Sequence, residues 1–239
     1  MITKADNSII YDKINPNESG FNPKMSNSSQ AKSGPCLEVR GLKSIRDDRV
    51  LFSDMHFSLS PGHALQIEGP NGSGKTTMLR ILCGLGVPTE GEILWNGIPI
   101  DEDRAAYAAG MAFIGHAHGI KSELTPLENL QVAMAMENTR EDVSLEEILQ
   151  RVGLRGFEDV PARTLSAGQC RRVAMGRLFM SRAKLWILDE PFTALDVEGQ
   201  AQIEKMMVDH VTQGGMVILT SHHPLQLADG MLQTISLRK

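Results

Sequence analysis

The glycine-rich stretch GPNGSGKT, residues 69–76, constrains the fold of this 239-residue chain more than any other stretch. It has the spacing G-x-x-x-x-G-K-[ST], follows the apolar run LQIEG and precedes the helix-like run TTMLRILCGL. A strand, a loop and a helix in this order form the context in which such a loop surrounds phosphate groups with its backbone N–H groups. A glycine turn that merely opens a helix is the simpler alternative, and the matching context on both sides argues against it.

The residues of this loop predict a nucleotide site that contains Mg²⁺. Glycines remove side-chain bulk so that N–H groups can converge on phosphate, Lys75 can reach the β- and γ-phosphates, and Thr76 can ligate the metal. The predicted nucleotide-binding residues of the loop are Gly69, Pro70, Asn71, Gly72, Ser73, Gly74, Lys75, Thr76 and Thr77.

Three apolar runs indicate the core of the fold. LQIEG (65–69), LWILDE (185–190) and MVILTSH (216–222) each end in polar residues, which is typical of parallel strands buried on both faces. Helical patterns lie between them, so we predict an α/β core. The strand-poor stretch from about 120 to 182 predicts an inserted helical subdomain.

Two helix signals fall inside the strand-poor stretch. Ser144 and Glu147 have the spacing of a capping box and precede an apolar pattern of helical period. Farther along the chain, apolar residues at helical spacing predict a helix that buries one side. These are Cys170, Val173, Ala174 and Leu178.

Polar residues follow two of the buried runs, where open α/β sheets bind ligands. Asp189 suits a Mg²⁺ contact, and Glu190 suits the general base for an attacking water. His222 could place its imidazole on a γ-phosphate. A solvated turn and a structural histidine are the simpler alternatives, and the upstream phosphate loop favours the catalytic interpretation.

A second anion site is indicated by LSAGQ at 165–169, 91 positions after Lys75 when counted to Ser166. Ser166 is a natural N-cap, and Gly168 clears the first turn of the helix that follows. With Gln169, Ser166 also makes a simple capping box, which is the alternative explanation. Capping alone does not require Gly168.

Composition limits the class of protein. No apolar run approaches the ~20 residues of a membrane helix. The net charge of −5 gives no general attraction to nucleic acid. Three cysteines without CxxC spacing fit reduced thiols in a cytoplasmic protein. Residues 1–35 have no sustained periodicity and no apolar signal core, so we predict a disordered extension before a domain at 36–239.

The order of GPNGSGKT, LSAGQ, LWILDEP, TALD (193–196) and TSHH resembles the nucleotide-binding domain of ATP-binding cassette (ABC) transporters. The resemblance implies a P-loop ABC-ATPase core of class α/β, with a mostly parallel sheet, a small antiparallel β subdomain and an inserted α-helical subdomain. In that family two domains meet head to tail in a dimer, and the signature helix of one caps the ATP γ-phosphate held by the other. The resemblance therefore implies that Ser166 and Gly168 act on the partner's ATP, and that Asp196 couples the two sites.

The sequence departs from the family pattern in three places. His116 stands where the family usually has a glutamine that lines the Mg²⁺, so we predict His116 as a metal-site residue. Ile45 and Arg46 fall where an aromatic ring often stacks on adenine, and Arg46 could replace it through a cation–π contact. Ala167 replaces a common signature glycine.

Within the family, the chain resembles ATP-binding subunits of cytochrome c biogenesis haem exporters, and the segments that carry this resemblance are IGHAHGIKSELTPLENL, GLRGFEDVPARTLSAGQCRRVA, LWILDEPFTALDV and QGGMVILTSHHPL. This similarity implies a peripheral subunit on the cytoplasmic face of the inner membrane, bound to integral membrane subunits through helices at 120–165 and the loop at 115–121. We expect no direct haem binding, because paired histidines such as His116 and His118 are mostly structural and no CxxCH motif is present.

Three alternative functions remain at the level of sequence. The chain could serve an exporter of another substrate, such as a drug or a lipid. It could be an ABC ATPase that acts on nucleic acid or ribosomes without transport, although such relatives carry long coiled coils or two cassettes. A non-hydrolysing nucleotide-binding scaffold is disfavoured, because Glu190 is present.

Overall fold

The computed structural model describes residues 36–136, 139–140, 142–223 and 225–237. The disordered extension predicted for residues 1–35 lies outside the described residues. In chain order the strands are β1 (Leu37–Arg46), β2 (Arg49–Leu59), β3 (His63–Glu68), β4 (Glu90–Trp95), β5 (Ile98–Pro99), β6 (Met111–Ile114), β7 (Leu185–Asp189), β8 (Met216–Thr220) and β9 (Leu232–Ser236). The helices are α1 (Lys75–Leu82), α2 (Arg104–Gly110), α3 (Pro126–Met136), α4 (Leu145–Arg151), α5 (Ala167–Met180) and α6 (Val197–Thr212), with a 3-10 turn at Ala162–Thr164.

A parallel sheet with the order β6-β7-β8-β3-β9 forms the centre of the fold. The alternating side chains of β7 show why its sequence is apolar throughout. Leu185 and Ile187 belong to one buried cluster, whereas Trp186 and Leu188 belong to a second cluster on the opposite face. Burial on both faces explains the unbroken apolar runs, and it brings the carboxyl ends of β3, β6, β7 and β8 to one edge.

A second, antiparallel sheet has the order β2-β1-β4-β5. Its inward side chains share a core cluster with α1 and with one face of the parallel sheet. Representative members are Leu37, Val39, Phe52, Leu79, Ile93 and Ile218. The tight turn between β1 and β2 is made by Asp47 and Asp48, which both have positive φ.

Helices α3, α4 and α5 pack on one another over a third cluster, which includes Leu130, Leu149 and Val173. The prediction that α5 buries one side was too narrow. Val173 contributes to this helical cluster, while Ala174 and Leu178 pack against the parallel sheet. Helix α5 lies between the helical cluster and the parallel sheet, so an apolar pattern on one face of the helix does not account for all of its buried residues.

The Ser144 prediction is correct in one half only. The Ser144 hydroxyl accepts from the Glu147 N–H at 3.2 Å, as an N-cap should. The reciprocal bond of a capping box, from the Ser144 N–H to the Glu147 side chain, is not found among the described residues, and the Ser144 hydroxyl donates to Oε2 of Glu146 at 2.8 Å. Among the described residues, no helix is both long and apolar enough to cross a membrane.

Candidate functional site

The glycine-rich loop joins β3 to α1. Gly74 is the N-cap of α1 and has a φ of 100°, a left-handed conformation that glycine adopts without strain. A Cβ atom at this position would also lie 3.1 Å from the Cβ of Leu51. Because Gly74 has no side-chain oxygen, the N–H groups of the first turn have no side-chain cap and are available to an anion.

Lys75 and Thr76 open α1 and turn towards the phosphate loop and the sheet. Lys75 is 8% exposed, and its Nζ donates to the carbonyl oxygen of Gly69 at 2.7 Å. The Thr76 Oγ1 donates to Oδ2 of Asp189 at 3.0 Å. The loop thus holds a cation beside its own backbone, and Thr76 connects it to the end of β7.

Asp189 and Glu190 are fixed from the neighbouring strand β8. Oδ1 of the buried Asp189 accepts from the Thr220 Oγ1 at 2.7 Å. Glu190 has a φ of 50°, which is uncommon for a residue with a side chain. Its N–H donates to the Thr220 carbonyl at 3.1 Å and to the Thr220 Oγ1 at 3.0 Å. One threonine therefore orients the carboxylate of one residue and the backbone of the next.

Replacing Thr220 with valine tests this arrangement. Thr220→Val keeps the shape but leaves a carboxylate oxygen without its hydroxyl donor and weakens the anchor of Glu190, so unfolding should become easier by about 1–3 kcal/mol. We also expect slower ATP hydrolysis, because the Asp189 carboxylate and the Glu190 backbone both lose a positioning contact. Thr220→Ser, which keeps the hydroxyl, is the matched control. Urea unfolding and steady-state ATPase assays measure both effects, and a valine variant equal to the serine variant in both would contradict this role.

The two predicted histidines lie in loops that follow strands of the parallel sheet. Nε2 of His222 is 3.8 Å from Oε1 of Glu190, so the structure brings these two residues together. His116 lies beyond the end of β6, which stops at Ile114. Nearby, burial is the main cause that lowers the pKa of His118, and the charges of Arg171 and His116 act in the same direction.

A cavity of about 600 Å³ collects most of the predicted site residues. Arg46 lines the cavity from the end of β1, and its mostly exposed side chain lies 3.6 Å from the Asp47 carboxylate. Ser166 and Gly168 are not among the described residues that line this cavity. The lining residues are Arg46, Asp47, Arg49, Leu51, Asn71, Gly72, Gly74, Lys75, Thr76, Thr77, His116, Asp189 and Glu190.

Ser166 and Gln169 form a complete capping box at the start of α5. The Ser166 Oγ accepts from the Gln169 N–H at 3.1 Å, and the Gln169 Oε1 accepts from the Ser166 N–H at 2.8 Å. The capping box, which was the alternative explanation for Ser166 at the level of sequence, is therefore present. It does not use up the site, because Ser166 is exposed and its hydroxyl proton can still be donated to a ligand.

Gly168 has a second reason to be glycine. A Cβ atom at this position would overlap the carbonyl oxygen of Ala194, in the segment TALD that precedes α6. Ala194 itself has a φ of 65°. The first turn of α5 and this segment are therefore in backbone contact, which no pattern of residue types could reveal.

We expect Gly168→Ala to push the TALD segment away from α5. Overpacking of this kind costs about 1–3 kcal/mol, and ATP hydrolysis should fall with the lost contact. ATP affinity of the isolated chain should be unchanged, because Gly168 does not line the cavity. Thermal unfolding, ATPase rate and nucleotide titration distinguish these effects. A variant with wild-type melting temperature and rate would show that the contact is dispensable.

Asp196 occupies the N-cap of α6. Its Oδ1 accepts from the Gly199 N–H at 2.9 Å and from Nη2 of Arg172 at 2.6 Å. The backbone hydrogen bond from Gly199 is the largest cause that lowers the pKa of this carboxyl, and Arg172 adds to it. Arg172 therefore connects α5, the signature helix that begins at LSAGQ, to the start of α6.

Sequence reasoning missed Thr220 and Arg171. Both lie where polar side chains are rare: Thr220 ends a strand with 0% exposure, and Arg171 is 1% exposed inside α5. A threonine that ends an apolar strand run next to a DE pair was a visible signal for Thr220. The two adjacent arginines after LSAGQ gave no indication of which one is buried.

The donor set fits a nucleotide with Mg²⁺. Lys75 and the free N–H groups of α1 suit phosphate, while the Thr76 hydroxyl, the Asp189 carboxylate and His116 line the same cavity. The described residues contain no group of three or more histidine, cysteine, aspartate or glutamate residues able to enclose a metal. Mg²⁺ keeps several waters and is bound by one or two carboxylates together with phosphate oxygens, which fits the Asp189 carboxylate beside the Thr76 hydroxyl.

The fold and this cavity define a nucleotide-binding cassette, and comparison with known proteins gives the same class. The model of the ABC transporter family matches residues 52–193, and the chain belongs to this family. It is therefore a nucleotide-binding ABC-type ATPase, and the predicted fold class is confirmed.

Individual relatives show which members of the family the chain resembles. The chain is 53% identical over 192 residues, 80% of this chain and 93% of the relative, to the cytochrome c biogenesis ATP-binding export protein CcmA of Methylococcus capsulatus. It is 50% identical to the protein of the same name from Escherichia coli K12, over 84% of this chain and 96% of the relative. A solved dimeric bacterial ABC transporter cassette shares the fold, with a TM-score of 0.72 and 24% identity, over 84% of this chain and 94% of that one.

Proposed function

We propose that this chain is the ATP-hydrolysing subunit of a membrane ABC transporter complex, the haem exporter of cytochrome c maturation. The observation that carries the ATPase part is the cavity in which Lys75, Thr76, Asp189 and Glu190 meet. The identity of 53% to a protein named for cytochrome c biogenesis supports the transport part.

The residues that line the cavity, together with His222 beside Glu190, divide the reaction among them. Lys75 and the N–H groups of the loop bind the β- and γ-phosphates, and Glu190 takes the proton of the attacking water. His222, beside Glu190, holds the γ-phosphate and senses its loss. Thr76, Asp189 and His116 would hold Mg²⁺, which would supply positive charge against the β- and γ-phosphate oxygens.

Arg46 supports the base of the nucleotide at the rim of the cavity. Its guanidinium is largely exposed and can stack on adenine, since an arginine plane attracts an aromatic face. The residues from Gly69 to Thr77 form the phosphate-binding wall, and the nucleotide is ATP.

A second copy of the chain supplies Ser166 and Gly168. Their helix N-terminus is exposed and does not line the cavity of its own chain, so it is free to meet an anion held elsewhere. A head-to-tail homodimer places it on the γ-phosphate of the partner's ATP, with Asp196 near both sites. Closure with ATP and release after hydrolysis then follow from the gain and loss of γ-phosphate contacts.

Integral membrane subunits dock on an apolar groove of about 480 Å³ between the sheet and the helical subdomain. Leu85 is 59% exposed and Met136 is 80% exposed at this groove, and Phe113 lies in it. An exposed apolar surface of this kind suits a partner protein. The groove lies next to the loop at 115–121 and includes Met136 from the segment at 120–165. Both segments belong to the domain at 36–239, and the helical subdomain of this domain spans about 120–182. The subunit is then peripheral, on the cytoplasmic face of the inner membrane, and its membrane partners handle the haem.

Deleting the gene in its own host tests the proposal. We expect c-type cytochromes to lose covalently bound haem, measured by the haem-dependent peroxidase stain of membrane proteins after denaturing electrophoresis. The wild-type gene should restore the stain, whereas a gene carrying Glu190→Gln should not. Normal cytochrome c in the deletion strain would contradict haem export and would favour an ABC ATPase that serves another substrate.

A further inference from the structure

Arg171 is a buried cation that donates to four main-chain carbonyl groups in two segments beside the candidate site, at Gly115 and at residues 189–191. Its Nη1 donates to the carbonyl oxygen of Gly115 at 2.8 Å, and its Nη2 donates to those of Asp189 at 2.6 Å and Glu190 at 2.9 Å. Its Nε donates to the Pro191 carbonyl at 3.4 Å. Four of the five N–H groups that an arginine carries are thus used on main-chain oxygens.

Burying a guanidinium at this point is costly unless its charge and donors are compensated. Burial lowers the pKa of Arg171, while the charges of Asp189 and Glu190 oppose that effect. None of the ion pairs found between described side chains includes Arg171, so its compensation comes from carbonyl groups and from these two nearby carboxylates. A helix core position filled by leucine or methionine would avoid this cost, which suggests that the cation is retained for what it binds.

Arg171 binds the main chain that carries the candidate catalytic groups. The Glu190 backbone is in the left-handed region, and its N–H is anchored to Thr220 on β8. Its carbonyl is anchored to Arg171 on α5, so both ends of this residue are clamped from different elements. Gly115, whose carbonyl also accepts from Arg171, directly precedes His116, which lines the cavity.

We propose that Arg171 is a positioning residue that links the signature helix to the catalytic groups of its own nucleotide site. The proposal rests on the proposed function, in which the start of α5 contacts the ATP of the partner subunit. Arg171 is five residues after the N-cap Ser166, about 7.5 Å along the helix. Closure of α5 on the partner's γ-phosphate therefore displaces the guanidinium, and with it the backbone of Glu190 and the loop of His116. Hydrolysis at one site then depends on nucleotide at the other.

The test compares substitutions in the full complex of this chain with its membrane subunits. Arg171→Gln removes the charge and most donors, whereas Arg171→Lys keeps the charge but cannot donate to all four carbonyl groups of the two segments at once. Arg182→Gln is the matched control, because Arg182 also donates to a main-chain oxygen, that of Thr139, just beyond the far end of α5. Misplaced catalytic groups commonly cost up to about 100-fold in rate, so we expect a single-turnover rate roughly 30-fold lower for Arg171→Gln and about 10-fold lower for Arg171→Lys. ATP affinity should change by less than about 3-fold, and Arg182→Gln should match the wild type.

A double-mutant cycle separates positioning from simple support of the fold. If Arg171 acts through Glu190, Arg171→Gln should lower the residual single-turnover rate of the Glu190→Gln variant by less than about 2-fold, because the group that it positions is already lost. A full loss in that background, or an Arg171→Gln rate within 2-fold of the wild type, overturns the proposal. Arg171→Lys carries the same cycle if the glutamine variant does not fold. Near-normal hydrolysis by Glu190→Gln alone would instead overturn the base assigned in the proposed function, and the role of Arg171 with it.

Discussion

Replacing Glu190 with glutamine should leave ATP binding intact and slow hydrolysis by roughly 10²- to 10⁴-fold, the usual contribution of a general base. Glutamine keeps the size of the side chain but cannot take a proton from water. The backbone at this position is held by Thr220 and Arg171 through main-chain atoms, so the substitution should not disturb the local fold. Single-turnover hydrolysis of labelled ATP and equilibrium nucleotide binding measure the two properties separately.

Glu92→Gln is the control for this substitution. Glu92 is an exposed carboxylate on the antiparallel sheet that pairs with Arg40, far in sequence from the catalytic strand ends. The Glu92→Gln variant should hydrolyse ATP at the wild-type rate. Turnover by Glu190→Gln within a few-fold of that control would remove Glu190 from the role of base and would leave His222 as the candidate.

Replacing Lys75 with alanine should abolish turnover and weaken ATP binding by roughly 10- to 100-fold, because a charged hydrogen bond contributes about 1.5–3 kcal/mol. Lys75 is nearly buried beside the loop and donates to the Gly69 carbonyl, so its ammonium lies close to where phosphates would bind. Titration with a fluorescent ATP analogue and a steady-state ATPase assay measure the two losses.

Arg80→Ala provides the matched control, since it removes an exposed positive charge from the last turn of the same helix. If general electrostatic attraction bound the nucleotide, both variants would lose affinity to a similar degree. We expect only Lys75→Ala to do so. Unchanged affinity and rate in Lys75→Ala would contradict the assignment of the loop as the phosphate site.

The sequence predicted those parts of the site that follow from local rules. A buried strand run ending in Asp189 and Glu190, together with a glycine loop before a helix, was enough to place two clusters at one sheet edge. Thr220 could not be assigned its role, because its contacts depend on β8 lying next to β7. The sequence does not state that neighbour relation.

Contacts between distant segments account for the remaining omissions. Gly168 was predicted to clear the way for an anion, but its overlap with Ala194 depends on how α5 approaches the TALD segment. Arg171 was hidden because helical periodicity assigns arginine to a solvent face, whereas tertiary packing places carbonyl groups around it. The same packing buries α5 on two sides, against a prediction of one.

The central claim is that each chain contains only part of a working nucleotide site and that a second copy completes it. The most direct measurement is a structure of the full assembly of the Glu190→Gln variant with ATP bound. The account predicts that the Ser166 Oγ of one subunit lies within hydrogen-bonding distance, about 3 Å, of the γ-phosphate on the partner's Lys75 loop. An ATP-loaded assembly in which Ser166 contacts no terminal phosphate would contradict it.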